Sequence, residues 1–456
     1  MPRPMPRHIW RRDARLFVMH WFQRQEVAPK PSSGLVLSGG GARVSFHIGA
    51  MRYLYERAHI APDTIAATSG GSIVAAIISQ SLDPASQLAH LTELEQVWLA
   101  MTGPDELFVE QAWFTRLRAQ WGDIAGLLST KRNDKDDEPT QSDDDPMQRV
   151  QKAMQDDPSS AVTASFSTLW PLISSLPRLG RAGAGLAASL RGAELAESAY
   201  RPGPIVDRLL FKSTFQSQRV AESGVQLRIC FVDLNSGDLR YMRQDGVIVD
   251  NDDHPIDGSA HDLTLGVWAS CTMPGVFRPV KIGTEVYVDG GVRQYVPVET
   301  AITNLGATRP YVIAASPLGV HREDFSDKDI PAVMLRISGI TIDEAYRNEM
   351  LLAKQAGACI IMPRLSVHDA MSVEPALLRI NRDYGWMCAA EAVTNATSSL
   401  RDIDDAIIDA RCQWAALAKQ DADTDADALQ QRISQLLAQA DTALLPPGYQ
   451  EWADEL

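Results

Sequence analysis

Two apolar segments in the first part of the chain are each followed by small residues and then by a helical pattern. Residues 35–37 (LVL) form a short apolar run, the glycines after them predict a turn, and residues 46–57 have the spacing of a helix. A second strand, turn and helix follow at residues 64–79. Two such units in succession predict a parallel sheet that is covered by helices.

Apolar segments typical of strands return in the second half of the chain. Residues 225–242 (VQLRICFVDLNSGDLRYM) predict two strands joined by an Asn-Ser-Gly turn, and EVYVDGG, RPYVIAASP and AGACIIMPRL predict further strands. From residue 369 to the end the pattern is helical. We therefore predict an α/β fold, with a mostly parallel central sheet, helices on both of its faces and a C-terminal helical extension.

Residues 103–200 interrupt this pattern and indicate a large insertion. Its acidic middle (KRNDKDDEPTQSDDDPMQ) is too charged to be buried, which predicts partial disorder. Residues 160–192 are apolar and broken by proline, which favours either a flap that contacts an acyl chain or a linker with one docked helix. The predicted division of the chain is an N-terminal arm (1–30), a main domain (31–368) that contains the insertion, and a C-terminal helical region (369–456).

Composition narrows the class of protein. Of the 456 residues, 45% are apolar and 22% are charged, which is typical of a folded globular protein, and a formal net charge of −15 argues against nucleic acid as a partner. No segment approaches the roughly 18 to 20 consecutive apolar residues of a membrane-spanning helix. The five cysteines are widely spaced and form no CxxC pair, which favours a reducing compartment. We expect a cytoplasmic protein without a metal or cofactor.

Positive charge is concentrated in the N-terminal arm. Residues 1–25 (MPRPMPRHIWRRDARLFVMHWFQRQ) interleave six arginines with tryptophan and phenylalanine. A basic helix with aromatic residues is typical of an element that lies on a membrane surface. The alternative is an arm that packs on its own domain with its arginines in water. The arm is a candidate for peripheral membrane contact.

Ser69 lies between the second predicted strand and its helix, in the segment AATSGGSIVAAII. A serine attacks an ester when it is exposed in a tight turn, a base accepts its proton and the oxyanion is stabilised. Such a turn needs small residues two positions before and after the serine, and here these are Ala67 and Gly71. A serine that caps a helix starting near Ser72 would give the same pattern. The segment alone leaves both interpretations open.

A glycine-rich loop, SGGGAR, follows the first predicted strand. Gly39, Gly40 and Gly41 let backbone amides converge without side-chain hindrance, and the helix N-terminus that follows favours negative charge. The loop is a candidate oxyanion site, with Arg43 beside it. A phosphate fits such a loop in principle, but the Gly-Lys-Ser/Thr ending of a P-loop and the GxGxxG register are both missing.

Asp289 ends the predicted strand EVYVD and precedes two glycines. A carboxylate at a strand end is placed to meet a serine at the end of another strand. With an ordinary pKa of about 3.9, it acts as a base only if the geometry and the oxyanion site compensate. The simpler interpretation is an Asp-Gly turn. His321 and His368 are alternative bases, although neither has the surroundings of a catalytic triad.

Taken in order, GGGAR, ATSGG and DGG resemble the oxyanion loop, the nucleophile elbow and the aspartate motif of the patatin-like phospholipase family. VDLNSGD and WASCTMPGVFRPV are similar to family segments that lie between them, and the resemblance covers about residues 33–103 and 204–365. It implies that residues 31–368 are a catalytic domain with a Ser–Asp dyad, in which Ser69 is the nucleophile and Asp289 the base. The implied oxyanion site consists of Gly39, Gly40 and Gly41 with Arg43, supported by Ala67 and Gly71 in the elbow.

The resemblance predicts a phospholipase A or lysophospholipase that cleaves carboxyl esters of membrane phospholipids through an acyl-enzyme. Ala67 replaces the first glycine of the elbow, and Val44 stands where the family commonly has another glycine. If that position needs a positive φ, a β-branched side chain is strained there. The alternatives are a Ser–His–Asp esterase and a catalytically inactive relative that binds lipid or a protein partner. A phosphate-binding regulator is a third.

Overall fold

A mixed sheet of ten strands lies at the centre of the part of the chain that the structure describes. The structure is a computed structural model, and it describes residues 34–112, 115, 198–212, 215–274, 276–319, 330–418 and 423–453. The strands of this sheet are β1 (Gly34–Leu37), β2 (Thr64–Thr68), β5 (Gln226–Asp233), β6 (Leu239–Arg243), β7 (Val247–Val249), β8 (Pro255–Ala260), β9 (Val280–Ile282), β10 (Glu285–Asp289), β11 (Tyr311–Ile313) and β12 (Cys359–Ile361). The predicted α/β fold with helices around a mostly parallel central sheet is confirmed.

The parallel part of the sheet has the order β12-β11-β1-β2-β5. Its strands are short and apolar because both faces are covered, and β1 and β2 are buried along their whole length. The carboxyl ends of parallel strands meet at one edge. The loops after β1 and β2 therefore lie side by side at this edge.

The antiparallel part of the sheet extends from β5. One branch continues through β6, β7 and β8, and the other places β10 against β5 and β9 against β10. The turn between β5 and β6 is the predicted Asn-Ser-Gly turn, where the Asp233 carboxylate accepts a hydrogen bond from the Asn235 amide at 2.9 Å. The branch that contains β10 and β9 brings the end of β10 to the edge where β1 and β2 end.

Helices cover the sheet and connect its parallel strands. The helix predicted at residues 46–57 begins two residues earlier, at Val44, and the helix after β2 is buried throughout. The helices are α1 (Val44–Glu56), α2 (Gly70–Ile78), α3 (Pro84–Leu99), α4 (Pro204–Val206), α5 (Ser217–Ser223), α6 (Leu263–Cys271), α7 (Val298–Thr303), α8 (Ile330–Gln355), α9 (Pro375–Thr394), α10 (Ser398–Ala418) and α11 (Asp423–Leu437).

The two ends of the predicted insertion pair with each other. A strand before the insertion, β3 (Phe108–Glu110), forms an antiparallel ribbon with β4 (Tyr200–Pro202). The acidic stretch, the predicted flap (160–192) and the N-terminal arm lie outside the described residues. Within the described residues, no helix has the length and apolar character needed to cross a membrane.

Helix α9 packs directly on α1 through glycine. A Cβ atom at Gly49 would lie 1.7 Å from the Arg382 carbonyl oxygen, and one at Gly385 would lie 2.1 Å from the Phe46 carbonyl oxygen. The two backbones are therefore in contact, which larger side chains would prevent. The first C-terminal helix is thus attached to the helix that follows the glycine loop. The predicted domain boundary at residue 368 stays a prediction.

A group of charged side chains, here called the helix cluster, joins α9 to α10. Arg364 donates to both carboxylate oxygens of Glu391, at 2.6 and 2.9 Å, and its Nε donates to Asp405 at 2.7 Å. Asp404 is buried beside Glu391, and burial raises its pKa. The Tyr384 hydroxyl completes the helix cluster by donating to Asp405 at 2.6 Å.

Candidate active site

Ser69 forms the sharp turn between β2 and α2. Its φ of 52° and ψ of −133° lie in a region that residues with a side chain rarely adopt. Its side chain makes no capping hydrogen bond to α2, which begins at Gly70. The interpretation as a helix cap therefore fails, and the strained turn is the geometry of a nucleophile elbow.

Small residues around Ser69 are needed because the end of β1 and the glycine loop pass close by. A Cβ atom at Gly71 would lie 2.5 Å from the Ser38 carbonyl oxygen, and one at Gly70 would lie 3.0 Å from the Gly41 carbonyl oxygen. Ala67 is buried within β2, where its methyl group is accommodated. Alanine in place of the first elbow glycine is thus compatible with the turn.

Asp289, the last residue of β10, is buried and lies close enough to the Ser69 hydroxyl for that hydroxyl to lower its pKa. One of its carboxylate oxygens accepts from the Gly291 amide at 2.8 Å, so the predicted Asp-Gly turn is present as well. Burial raises the pKa of Asp289 to about 7, and the Ser69 hydroxyl and the Gly291 amide lower it in part. The carboxyl group can therefore gain and lose a proton near neutral pH.

The three glycines of the loop after β1 have different roles. The Gly39 amide donates to the Tyr295 carbonyl oxygen at 3.0 Å. Among the described residues, no protein acceptor binds the amides of Gly40 and Gly41. Gly41 has a φ of 54°, and a Cβ atom there would lie 2.4 Å from the Ala370 carbonyl oxygen. The predicted oxyanion role of the loop therefore falls on the amides of Gly40 and Gly41 and stays a prediction.

Arg43 connects the glycine loop to segments that follow β11 and β12. The side chain is buried, its Nε donates to the His368 carbonyl oxygen at 2.8 Å, and one Nη donates to the Ser316 hydroxyl at 2.6 Å. The Tyr295 hydroxyl bonds the same serine at 2.8 Å. Arg43, predicted beside the oxyanion site, therefore engages groups that lie beyond β11 and β12 in the sequence.

Val44 begins α1 with an ordinary right-handed helical backbone. Its φ is −50° and its ψ is −29°. A β-branched side chain adopts these angles without strain. The expected conflict at this position is absent, because the chain does not need a glycine there.

The sequence match to a family model fits this geometry. The model for patatin-like phospholipases matches residues 35–302, which is more than half of the chain and includes most of β1, Ser69 and Asp289. The chain belongs to the patatin-like phospholipase family. The match to this family ends before β11, so the C-terminal helices lie beyond it.

Other comparisons add less to the family assignment. No curated protein matches the chain. The structure of VipD from Legionella pneumophila is 14% identical, with a TM-score of 0.37, and the alignment covers 91% of this chain and 83% of VipD. The ExoU–SpcU complex from the type III secretion system of Pseudomonas aeruginosa is 15% identical, with a TM-score of 0.23, 94% of this chain and 70% of that chain covered. Both TM-scores are low, and the assignment rests on the family model.

His368, one of the two histidines considered as a base, does not form a triad with the patatin-like elbow. Its Nδ1 lies 2.8 Å from the Asp369 carbonyl oxygen, and burial together with the Arg43 charge lowers its pKa to about 3. Within the described residues, no histidine side chain hydrogen-bonds Ser69. His321 lies outside the described residues.

The sequence did not identify three side chains that surround this patatin-like site. Ser270 accepts a hydrogen bond from the Ser69 amide at 2.8 Å, Cys271 donates to the Ser69 carbonyl oxygen at 3.2 Å, and the Tyr295 ring lies against Gly39. Ser270 and Cys271 fall in WASCTMPGVFRPV. This segment resembles one in the family, but it contains no residue pattern that indicates a chemical role. The described residues include no group of three or more His, Cys, Asp or Glu side chains that could hold a metal ion.

Proposed function

We propose that the protein is a lipid acyl hydrolase that cleaves carboxyl esters of phospholipids or lysophospholipids with a Ser69–Asp289 dyad. Membership of the patatin-like phospholipase family supports a hydrolase that acts on lipids. The observation that carries the dyad is the placement of Ser69, in a strained turn at the end of β2, beside the buried Asp289 at the end of β10, since the two strand ends pair with consecutive residues of β5. Burial raises the pKa of Asp289 to about 7, and the Ser69 hydroxyl lowers it in part.

In the proposed reaction, the Ser69 hydroxyl attacks the acyl carbonyl carbon while its proton passes to the Asp289 carboxylate. The oxyanion accepts hydrogen bonds from the Gly40 and Gly41 amides, and one such donor is typically worth about 2.7 to 4 kcal/mol in the transition state. Asp289 then gives the proton to the departing alcohol, which leaves an acyl group on Ser69. Water attacks this ester while Asp289 accepts its proton, Asp289 returns the proton to the Ser69 oxygen as the acyl bond breaks, and the fatty acid is released.

The nucleophile is tested by labelling the protein with a fluorophosphonate and locating the modified peptide by mass spectrometry. We expect the wild type to be labelled on Ser69 and Ser69→Ala to remain unlabelled. Ser79→Ala is the matched control, because Ser79 is a buried serine at the other end of α2. Labelling of Ser69→Ala at the wild-type rate would contradict the proposed nucleophile and would leave the inactive relative as the better interpretation.

The reaction is tested by product analysis on vesicles of mixed phospholipids. We expect free fatty acid and the matching lysophospholipid or glycerophosphodiester from the wild type, and neither from Ser69→Ala or Asp289→Ala. Loss of activity in His321→Ala or His368→Ala with the fold intact, and retention in Asp289→Ala, would instead favour a Ser–His–Asp esterase. Phosphodiester cleavage would exclude the acyl hydrolase.

The proposed place of action is the cytoplasmic surface of a membrane, because the substrate resides in a bilayer. The basic aromatic arm (1–30) supports this proposal through its sequence alone. We expect removal of residues 1–28 to weaken binding to anionic liposomes and to slow hydrolysis of vesicles more than hydrolysis of a soluble ester. Equal rates on vesicles with and without the arm would contradict this role.

A further inference from the structure

The last turn of α6 contacts the backbone of both members of the dyad. Ser270 Oγ accepts from the Ser69 amide at 2.8 Å, and Cys271 Sγ donates to the Ser69 carbonyl oxygen at 3.2 Å. The Thr272 carbonyl oxygen accepts from the Asp289 amide at 3.1 Å. Residues 270–272, here called the bracket, thus hold Ser69 on both sides of its Cα atom and hold Asp289 as well.

The Ser270 hydroxyl has a defined orientation. It donates to the Cys230 carbonyl oxygen in β5 at 2.6 Å, which leaves its lone pairs for the Ser69 amide and for the Ser72 hydroxyl at 2.9 Å. A hydroxyl has one donor and two acceptor sites, and all three are used here. Since Ser270 is fully buried, loss of this hydroxyl leaves the Ser69 amide without a hydrogen-bond partner, and water does not reach the site to replace it.

Strand pairing brings the two strand ends together but does not fix the turn that carries Ser69. Thr68 of β2 pairs with Cys230, and Asp289 of β10 pairs with Phe231, the next residue of β5. Because β6 occupies the other edge of β5, β2 and β10 lie end to end along the same edge. Ser69 is also held at a φ of 52°, a conformation that persists only where the surroundings impose it. The bracket imposes it from a third element.

We infer that Ser270 and Cys271 are positioning residues that keep the Ser69 hydroxyl within hydrogen-bond reach of Asp289. The inference rests on the proposed function and adds a structural requirement to it. It also means that the Ser69 amide is already engaged by the protein. The oxyanion is therefore held by the amides of the glycine loop, and the bracket acts on the proton transfer.

The inference is tested with Ser270→Ala, Cys271→Ala and Cys271→Ser, and with Thr264→Val as the control. Thr264 is a buried hydroxyl in the first turn of α6 that faces Ser217. We expect Ser270→Ala to lower kcat and the rate of fluorophosphonate labelling by about 10- to 100-fold, since small misplacements of reacting groups have effects of this size. KM is expected to stay near the wild-type value, because the bracket acts on the proton transfer and not on substrate binding.

The pH profile separates positioning from a loss of stability. The Ser69 hydroxyl lowers the pKa of Asp289, so displacement of this hydroxyl in Ser270→Ala is expected to move the midpoint of kcat/KM to higher pH. Cys271→Ser keeps a donor and is expected to recover most of the rate lost in Cys271→Ala. Thermal unfolding of each variant gives the stability change independently.

The outcomes distinguish the bracket from the dyad itself. If Ser270→Ala keeps the kcat and the pH midpoint of Thr264→Val, the bracket has only a structural role and the inference is wrong. If Ser270→Ala does not fold, the comparison of Cys271→Ala with Cys271→Ser decides, and equal rates in these two variants overturn the inference. Activity in Ser69→Ala would refute the proposed function rather than the bracket alone.

Discussion

Two buried aspartates in different regions of the molecule have pKa values raised by burial, and their partners differ. Asp289 faces a hydroxyl group, that of Ser69, at the carboxyl edge of the sheet. Asp404 faces another carboxyl group, that of Glu391, in the helix cluster, where Arg364 and Asp405 are also close. A hydroxyl group can give its proton to a base and then react as a nucleophile. Two carboxyl groups beside an arginine only balance its charge and supply no such nucleophile. A raised pKa thus indicates burial, and the partner indicates the function.

The largest expected difference between the two regions is in catalysis. Asp289→Asn removes the proposed base but keeps the size of the side chain, so we expect kcat/KM to fall by about 10²- to 10⁴-fold. Asp404→Asn makes the same chemical change in the helix cluster and is expected to leave kcat/KM near the wild-type value. Steady-state hydrolysis of a soluble ester measures both. Equal losses in the two variants would remove the distinction between the regions.

The glycine loop provides the next largest effect. Gly41→Ala adds a methyl group at a φ of 54°, where it would meet the Ala370 carbonyl oxygen, and displacement of the amide would weaken the proposed oxyanion site. We expect kcat to fall by about 10²- to 10³-fold. Gly306→Ala is the control, because Gly306 has a φ of 69° but open space around it. If the control loses as much activity, backbone strain explains the loss and the oxyanion site does not.

The pH dependence of the wild type sharpens the assignment of Asp289. In the proposed reaction the carboxylate of Asp289 is the base, and the pKa of this group is raised to about 7. We therefore expect kcat/KM to rise about tenfold per pH unit below pH 7 and to level off above it. The thiols of Cys230 and Cys271 lie nearby, but burial raises the pKa of each, so neither accounts for a midpoint near 7. A midpoint near 4 would contradict the burial of the base.

The smallest expected effect is on stability in the helix cluster. A carboxyl group whose pKa is raised on folding stabilises the protein at acid pH, and this contribution is lost as the pH rises through the pKa of the folded state. Because burial and Glu391 raise the pKa of Asp404, we expect Asp404→Asn to become more stable relative to the wild type as the pH rises, by an amount on the order of 1 kcal/mol. Urea unfolding at acid and alkaline pH measures this change. A difference of opposite sign would show that Asp404 is charged in the folded protein.

The parts of the fold and site that sequence could predict are those encoded locally. The turn at Ser69, the glycine loop and the end of β10 each combine an apolar strand with small residues in a short segment. Strand β8 (PIDGSA) has no strand signal in the sequence, because every residue in it is exposed and it has no apolar alternation. The sequence alone indicates no role for Ser270 and Cys271, since they meet Ser69 only through contacts across about two hundred residues of chain.

The concern about Val44 shows the limit of family patterns. A glycine in related sequences indicates that a left-handed backbone is permitted, and it does not show that one is required. Only the φ of −50° at Val44 settles the matter for this chain.

The segment from His368 to Ala370 contacts the glycine loop in a way that the sequence does not indicate. Its carbonyl groups accept from Arg43 and from the Ala42 amide, at 2.8 and 2.7 Å, and carbonyl groups have no signature in a sequence.

The pairing of β1 with β11 has a consequence for anyone who wishes to work with a shorter version of this protein. The family match stops at residue 302, yet Tyr311–Ile313 supplies one flank of β1, and the amide of Ser38 donates to Ile313 at 3.0 Å. A fragment limited to residues 35–302 would lack β11, so β1 would become an exposed edge strand that can pair with another copy of the chain. The segment that matches the family model is therefore shorter than the smallest fragment suitable for work in solution.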